Sequence, residues 1–430
     1  MSNWCEWPPR FLDLKRKIVS ETTQERLTAS WNDLLGELAT RTAEIAKAGP
    51  DFVPQVNFAD LDKLTPEEIS VIKRKGSVVI RDVVDTKTAT GWKAELEEFV
   101  KANPHAEGTP NQDKQFFHLY WTRSQVQARA HPNVLKASAW LNNLYSVKSG
   151  KTLEGVDLSV PLTYADRFRI RHPGGHWGNF PPHIDSGAIE RWEDEAFRRC
   201  YEDILTGNWR QHDPYELENR LNARMSLYGR PGQASVFRSF QGWLAMSETG
   251  PTQGTLRVFP DVQLSNAYVI LRPFFRPTVL EDSPDILDPK NWKFDISTAD
   301  FPGIFPLDRG YKGPLPTPRH HPHLRLRETM TSVPQVYPGD MVFWHCDVVH
   351  SVETEHTGST DSAVMYIGAV PKTPQNSAYI VKQAQTFLVG QNPPDFAKLT
   401  DEKMFVGLGT DVDVKEPISR VAMGLPIEVA

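Results

Sequence analysis

The stretch "FPPHIDSG" places a histidine and an aspartate on alternate positions, His183 and Asp185, directly after a Gly- and Pro-rich segment. In an extended chain, residues i and i+2 project to the same side, so an imidazole nitrogen and a carboxylate oxygen can be offered to one point. Two histidines and one carboxylate on a single face of an iron(II) ion leave the remaining coordination positions open, as non-haem oxygenases require. Such a site needs a second histidine from elsewhere in the chain.

The strongest candidate is His350, in "YPGDMVFWHCDVVHSVE". Pro338-Gly339-Asp340 predicts a turn and "MVFW" a strand, after which His350 can swing back to the metal. His345, in the same segment, is second choice. His320, His321 and His323 lie in "PRHHPHLRL", which has no strand character, and rank lower. An isolated HxD is a common accident of sequence. Its weight here comes from the β run before it, the strand "GTLRVFPD" between, and the unit of turn, strand and histidine far downstream.

Elements to position these residues are legible. "QERLTASWNDLLGELATRTAEIAKAG" has apolar residues at helical spacing and is stopped by Gly49-Pro50. "LTPEEISVIKRKG" offers Thr65 as N-cap with Pro66 at the first helical position. "SVVIRDVV" predicts a strand and "TKTATGWKAELEEFVKANP" an amphipathic helix ended by Pro104. Beyond these, "DRFRIRH", "ASVFRSFQGWLAMS", "GTLRVFPDV", "NAYVILRPFF", "DMVFWHCDVVHSVE" and "DSAVMYIGAV" read as short strands. A helical start followed by many strands predicts an antiparallel sandwich or barrel flanked by helices, an α+β protein. Residues 187–225, charged and helical, and 277–330, Pro-rich and irregular, read as insertions. The expected division is a helical extension over 1–55, one domain over 56–395, and a tail over 396–430 packed on the core.

The 430 residues include 39% hydrophobic, 10% aromatic and 24% charged side chains, enough for a sizeable core. A net charge of −6 argues against nucleic acid or an anionic membrane as partner. Three scattered cysteines, Cys5, Cys200 and Cys346, make neither a disulfide framework nor a zinc knuckle and fit a reducing compartment. With no apolar signal run at the N-terminus and no apolar stretch of spanning length, a cytoplasmic location is expected. The oligomeric state is not legible.

The order "SVVIRDVVD" with its following helix, then "HID", "FQGWLAMSETGPTQGTLRVFPD" and "PGDMVFWHCDVVHSVE", resembles the iron(II)/2-oxoglutarate-dependent oxygenase superfamily, over roughly residues 65–375. Within it the chain resembles the phytanoyl-CoA-dioxygenase-like branch and the YbiU-like family. The resemblance implies a double-stranded β-helix (jelly-roll, cupin-like) core flanked by helices, with iron(II) on His183, Asp185 and His350. It further implies 2-oxoglutarate as co-substrate, dioxygen as oxidant, and oxidation of a C–H bond by hydroxylation, desaturation or ring closure. One part of the pattern is missing. The window "TDSAVMY" after His350, where many relatives carry a basic residue for the far carboxylate of 2-oxoglutarate, holds none. That carboxylate needs a charge-assisted partner. The candidates are Arg169 and Arg171 in "DRFRIRH", Arg257 in "GTLRVFP" and Lys372; Arg167 and Arg238 lie nearby in sequence.

His176, Trp177 and Phe180 in "HPGGHWGNF", with Phe343 and His345, are the expected substrate contacts, and Gly174-Gly175 favours a lip over the site. The expected substrate is a small metabolite, amino-acid-like or otherwise carboxylated. The alternatives are a non-catalytic jelly-roll binding protein, an iron oxygenase that does not use 2-oxoglutarate, and a different metal in the same cup.

Overall fold

A computed structural model describes residues 6–230, 232–396 and 401–427. Cys5 and parts of the tail, 397–400 and 428–430, lie outside the described residues. Cys200 and Cys346 are both free thiols.

The fold is mixed α/β and built on antiparallel sheets. Its strands of consequence, in chain order, are β1 (Gln55–Asn57), β2 (Ser77–Arg81), β3 (Gly108–Thr109), β4 (Phe116–Phe117), β5 (Phe168–Arg171), β6 (Phe240–Ala245), β7 (Leu256–Val258), β8 (Thr331–Ser332), β9 (Met341–His345), β10 (His350–Val352) and β11 (Ser362–Tyr366). Eight of them form one sheet in the order β1-β2-β9-β6-β11-β5-β4-β3, and three form a second in the order β8-β7-β10. Only β1 and β2 pair in parallel in the large sheet.

The helical entry follows from its caps and spacing. The first long helix, α1 (Gln24–Ala48), starts at Thr23, whose hydroxyl accepts from the Arg26 amide at 3.2 Å. It buries Leu27, Trp31, Leu34, Leu35, Leu38 and Ile45 on one stripe. Trp31 is fully buried and stacks on Phe275 with ring centroids 4.4 Å apart. A second helix, α2 (Pro66–Lys75), opens with a reciprocal Thr65–Glu68 capping box and closes on Gly76 in the left-handed region. It delivers the chain into β2, whose Val78, Val79 and Ile80 are fully buried. Helix α3 (Thr86–Ala102) follows, capped by Asp85 and ending before Pro104. No helix among the described residues is long and apolar enough to cross a membrane.

Two expectations differ. "NAYVILRPFF" is not a strand: helix α4 (Val262–Leu271) runs through it, capped by the Asp261 carboxylate on the Leu264 amide at 3.1 Å. All its residues but Gln263 are buried, so it shows no polar face and its β-branched content resembles a strand. The charged segment 187–225 is not a long helix but several single turns, the longest Glu195–Arg199. It folds over the loop at 183–187 through buried Glu190, Arg191 and Trp192, Arg191 donating to the Asp185 carbonyl.

Candidate metal centre

His183 and His350 meet across the mouth of the small sheet. Each backbone amide donates to the other's carbonyl at 2.9 Å, a two-bond antiparallel pair that extends β10 by one partner. The rings lie 4.2 Å apart between centroids. Asp185 completes the group: its Oδ1 is 3.6 Å from His183 Nε2 and its Oδ2 is 3.6 Å from His350 Nε2. The HxD pair belongs to no regular strand. Alternation still holds locally, and the chain then turns sharply through Ser186 (φ 62°) and Gly187 (φ 100°). A Cβ on Gly187 would lie 2.8 Å from the Phe197 ring, so only glycine fits there.

Both imidazoles are fixed in one tautomer. His183 Nδ1 donates to the Pro181 carbonyl at 2.7 Å and His350 Nδ1 to the Val348 carbonyl at 3.0 Å. A carbonyl can only accept, so each Nε2 is left as a lone-pair donor facing Asp185. Burial, helped by the neighbouring His350, pushes His183 down to about 4, which keeps it neutral. Enclosure works to raise the Asp185 carboxyl, but its surroundings, which include the positive charge of Arg238, outweigh it and hold it well below the usual range. Two imidazole Nε2 atoms and one carboxylate, their ligand atoms within 4.8 Å of one another, fit a divalent cation of the iron or zinc type.

A second group, His345, Cys346 and Asp347, is equally compact. Its carboxylate is already taken by two guanidiniums, Arg191 at 2.7 Å and Arg220. Two fixed cations beside it oppose a third, so this group is an ion-pair network instead of a metal cup.

The triad opens on a cavity of about 290 Å³ between the two sheets. One face of the large sheet lines it with Arg167, Arg169, Gln241, Trp243, Trp344 and Tyr366, and the small sheet contributes Leu256, His350 and Val352. Arg169 is 2% exposed; its Nη2 donates to the Gly254 carbonyl at 3.0 Å, while its Nε and Nη1 have no partner. It pairs with Val364 of β11, which puts a buried basic residue on the strand next to "TDSAVMY", at that window's own level.

The other expected co-substrate residues lie elsewhere. Arg171 shares Arg169's face but spends its guanidinium on the carbonyls of Glu353, Thr354 and Gly175, at 2.5, 2.6 and 3.2 Å. Arg257 donates to the Met330 carbonyl at 2.9 Å, and Lys372 is exposed on a peripheral strand. None of the three lines the cavity.

Among the expected substrate contacts only Phe180 lines it. Trp177 sits behind Phe180 with ring centroids 6.1 Å apart, and His176 is exposed and bonded to Glu355 at 2.7 Å. The lip is tied down, Gly174 and Trp177 donating to His356 and Thr354 at 2.8 and 2.7 Å. Phe343 and His345 occupy the reverse face of β9, because Trp344 between them faces the cavity. His345 is bonded there to the Tyr145 hydroxyl at 2.6 Å.

Alternation along β6 and β9 would have selected Gln241, Trp243 and Trp344. Arg230 and the loop residues after it carry no such signal.

A family model described as Gig2-like matches residues 6–425. The Escherichia coli (strain K12) protein YbiU is 33% identical over 402 residues, 89% of each chain. Among solved structures, GlcNAc Inducible Gene 2 of Candida albicans is similar with a TM-score of 0.86 at 33% identity, covering 100% of this chain and 92% of that one. The Escherichia coli hypothetical protein JW0805 gives 0.79 at 28% identity, covering 99% and 100%.

Proposed function

The chain belongs to the Gig2-like family, and from that premise and the meeting of His183, Asp185 and His350 we propose that it is a non-haem iron(II) oxygenase using 2-oxoglutarate. The observation that carries the reading is the triad itself: two tautomer-locked Nε2 atoms and one carboxylate aimed at a common point. Facing antiparallel sheets with the triad at their mouth support reading the core as a double-stranded β-helix.

His183, Asp185 and His350 would hold the ion. Bound there, iron(II) with 2-oxoglutarate and dioxygen supplies the oxidation of a C–H bond, with succinate and carbon dioxide as co-products. The protein's own part is placement and exclusion. Arg169, buried with two unpartnered nitrogens, is the group suited to the far carboxylate of the co-substrate. Phe116, Phe180 and Trp344 wall the cavity with apolar surface and keep water from the reacting centre.

The test uses protein purified without oxygen and reconstituted with iron(II). Wild type should bind one equivalent, develop a visible charge-transfer band with 2-oxoglutarate, and release succinate in air. His183→Ala and Asp185→Ala should lose all three. Undiminished succinate release by both variants would overturn the proposal, and metal binding with no response to 2-oxoglutarate in wild type would favour a binding protein or another metal.

A further inference from the structure

We propose that the substrate carries a carboxylate, gripped by Arg238 and Gln241 at the end of β6 opposite Arg169. The proposal rests on the oxygenase reading of the same cavity and deepens it by naming the substrate class.

The first argument is the direction of the unused hydrogen bonds. Among the described residues lining the cavity, the buried polar side-chain atoms without a partner are Nε and Nη1 of Arg169, Nε of Arg238, Nε2 of Gln241, Nε1 of Trp344 and Oγ of Ser186. All six can donate, and the five nitrogens can do nothing else. A buried donor left unpaired is destabilising, so the ligands that fill this space must bring acceptors.

Charge points the same way. The walls hold four guanidiniums, Arg167, Arg169, Arg230 and Arg238, against two carboxylates, Asp166 and Asp185. Asp166 is already engaged, accepting from the Arg167 amide at 2.8 Å and its Nε at 2.9 Å. A divalent ion on Asp185 adds to the positive excess, and dianionic 2-oxoglutarate offsets only part of it. A neutral or cationic substrate would leave the remainder uncompensated in an enclosed site, where charges are poorly screened.

Position separates two anion sites. Val364 of β11 lies between Arg169 on one side and Ala245 on the other, which sets Arg169 at the far end of β6. Arg238 precedes β6 and Gln241 is near its start. At about 3.3 Å per residue, the four residues from Gln241 to Ala245 span roughly 13 Å, too far for one carboxylate to serve both ends. Gln241 pairs directly with Trp344, whose ring centroid is 5.2 Å from that of His350. The Gln241 end therefore adjoins the metal ligands, where a reacting substrate must lie.

The local chemistry suits a carboxylate. The Arg238 guanidinium sits over the Tyr164 ring at 5.3 Å, which holds its plane, and its Nη1 leans on Asp166 Oδ2 at 3.7 Å. Its Nε edge is left free, and a planar fork on that edge matches the two oxygens of a carboxylate. Gln241 Nε2 adds a neutral donor alongside.

The test is thermal stabilisation of protein loaded with manganese(II), without catalysis. The probes are straight-chain, hydroxylated and aromatic monocarboxylates, each beside its primary amide, with 2-oxoglutarate present. Carboxylates should raise the unfolding midpoint where their amides do not. Arg238→Gln should weaken that response by about ten- to a hundredfold, the worth of a charged hydrogen bond, while the shift caused by 2-oxoglutarate persists. Gln241→Leu should weaken it less, and it guards against misfolding of the Arg238 variant. Arg169→Gln should do the reverse, losing the 2-oxoglutarate shift alone. Amides as effective as acids, no stabilising carboxylate in the set, or a carboxylate response indifferent to both Arg238 and Gln241 would overturn the proposal. If the oxygenase reading is what fails, wild type loses the 2-oxoglutarate shift while the carboxylate response at Arg238 remains.

Discussion

Arg191 and Asp347 link the His183–Asp185 loop to the turn that precedes His350. Asp347 stands in the turn between β9 and β10, three residues before His350, and its Oδ1 lies 2.7 Å from Arg191 Nη1. The same guanidinium donates through Nη2 to the Asp185 carbonyl at 2.7 Å. One side chain thus ties the loop of one ligand to the turn that launches another. Burial works against charge on Asp347, but Arg220 and Arg191 outweigh it and hold the carboxyl well below its usual range.

Arg191→Met should therefore weaken metal binding without removing a ligand. Loss of groups that orient ligands typically costs ten- to a hundredfold in affinity, roughly, and breaking a buried ion pair about 3–5 kcal/mol of stability. Cobalt(II) titration of folded protein, read beside the unfolding midpoint, checks both. A variant that loses stability yet binds cobalt as wild type would reduce Arg191 to a packing role.

Arg169→Met should leave metal affinity unchanged and raise the KM for 2-oxoglutarate by about tenfold or more. Arg257→Ala and Lys372→Ala should not, since one guanidinium is spent on the Met330 carbonyl and the other side chain is exposed. Steady-state succinate release against 2-oxoglutarate concentration decides it. An unchanged KM in the Arg169 variant would place the co-substrate elsewhere.

The contrast between Arg169 and its rivals shows what the sequence could and could not convey. The HxD pair was legible because alternate spacing survives even where, as at His183, a strand shrinks to a single paired residue. Arg167, Arg169 and Arg171 alternate and so share a face, but only tertiary structure shows that Arg169 lines the cavity while Arg171 is drawn off to the carbonyls of Glu353, Thr354 and Gly175. Phe343 and His345 were a misjudged phase: they share one face of β9, but it is the reverse face, and Trp344 between them fronts the cavity. Helix α4 was missed because burial on every side erases the polar stripe that reveals a helix. Arg230 comes from a loop, where no periodicity exists to read.

The Pro338-Gly339-Asp340 turn makes a sharper demand than its sequence suggests. Gly339 has φ 102°, and a Cβ there would stand 1.9 Å from the Val84 carbonyl oxygen. Gly339→Ala should cost about 1–3 kcal/mol for the backbone alone, with the clash added. Gly174 also has positive φ, 77°, but nothing lies within 4 Å of its Cβ position. Gly174→Ala should then cost only the backbone part. Urea midpoints of the two variants check the ranking, and equal losses would contradict the clash.

Acid should destabilise the protein through buried histidines outside the candidate triad. Burial first, with Arg220 near His212 and His345 and Arg272 near His323, pushes each of the three down to about 3. A folded-state value below the unfolded one means that the unfolded chain binds the extra protons. Stability is fully present above 6.5, the ordinary histidine value, and falls as pH drops from 6.5 toward 3. His323 accepts or donates at 3.0 Å to Tyr268 and packs on Trp292 with centroids 5.0 Å apart. His323→Gln should lower the midpoint near neutrality, through lost packing, yet shallow its decline below 6.5, because one titrating group has gone. Unfolding midpoints measured across that window check the slope, and a variant whose decline is as steep as wild type would show that His323 takes no part in the acid response.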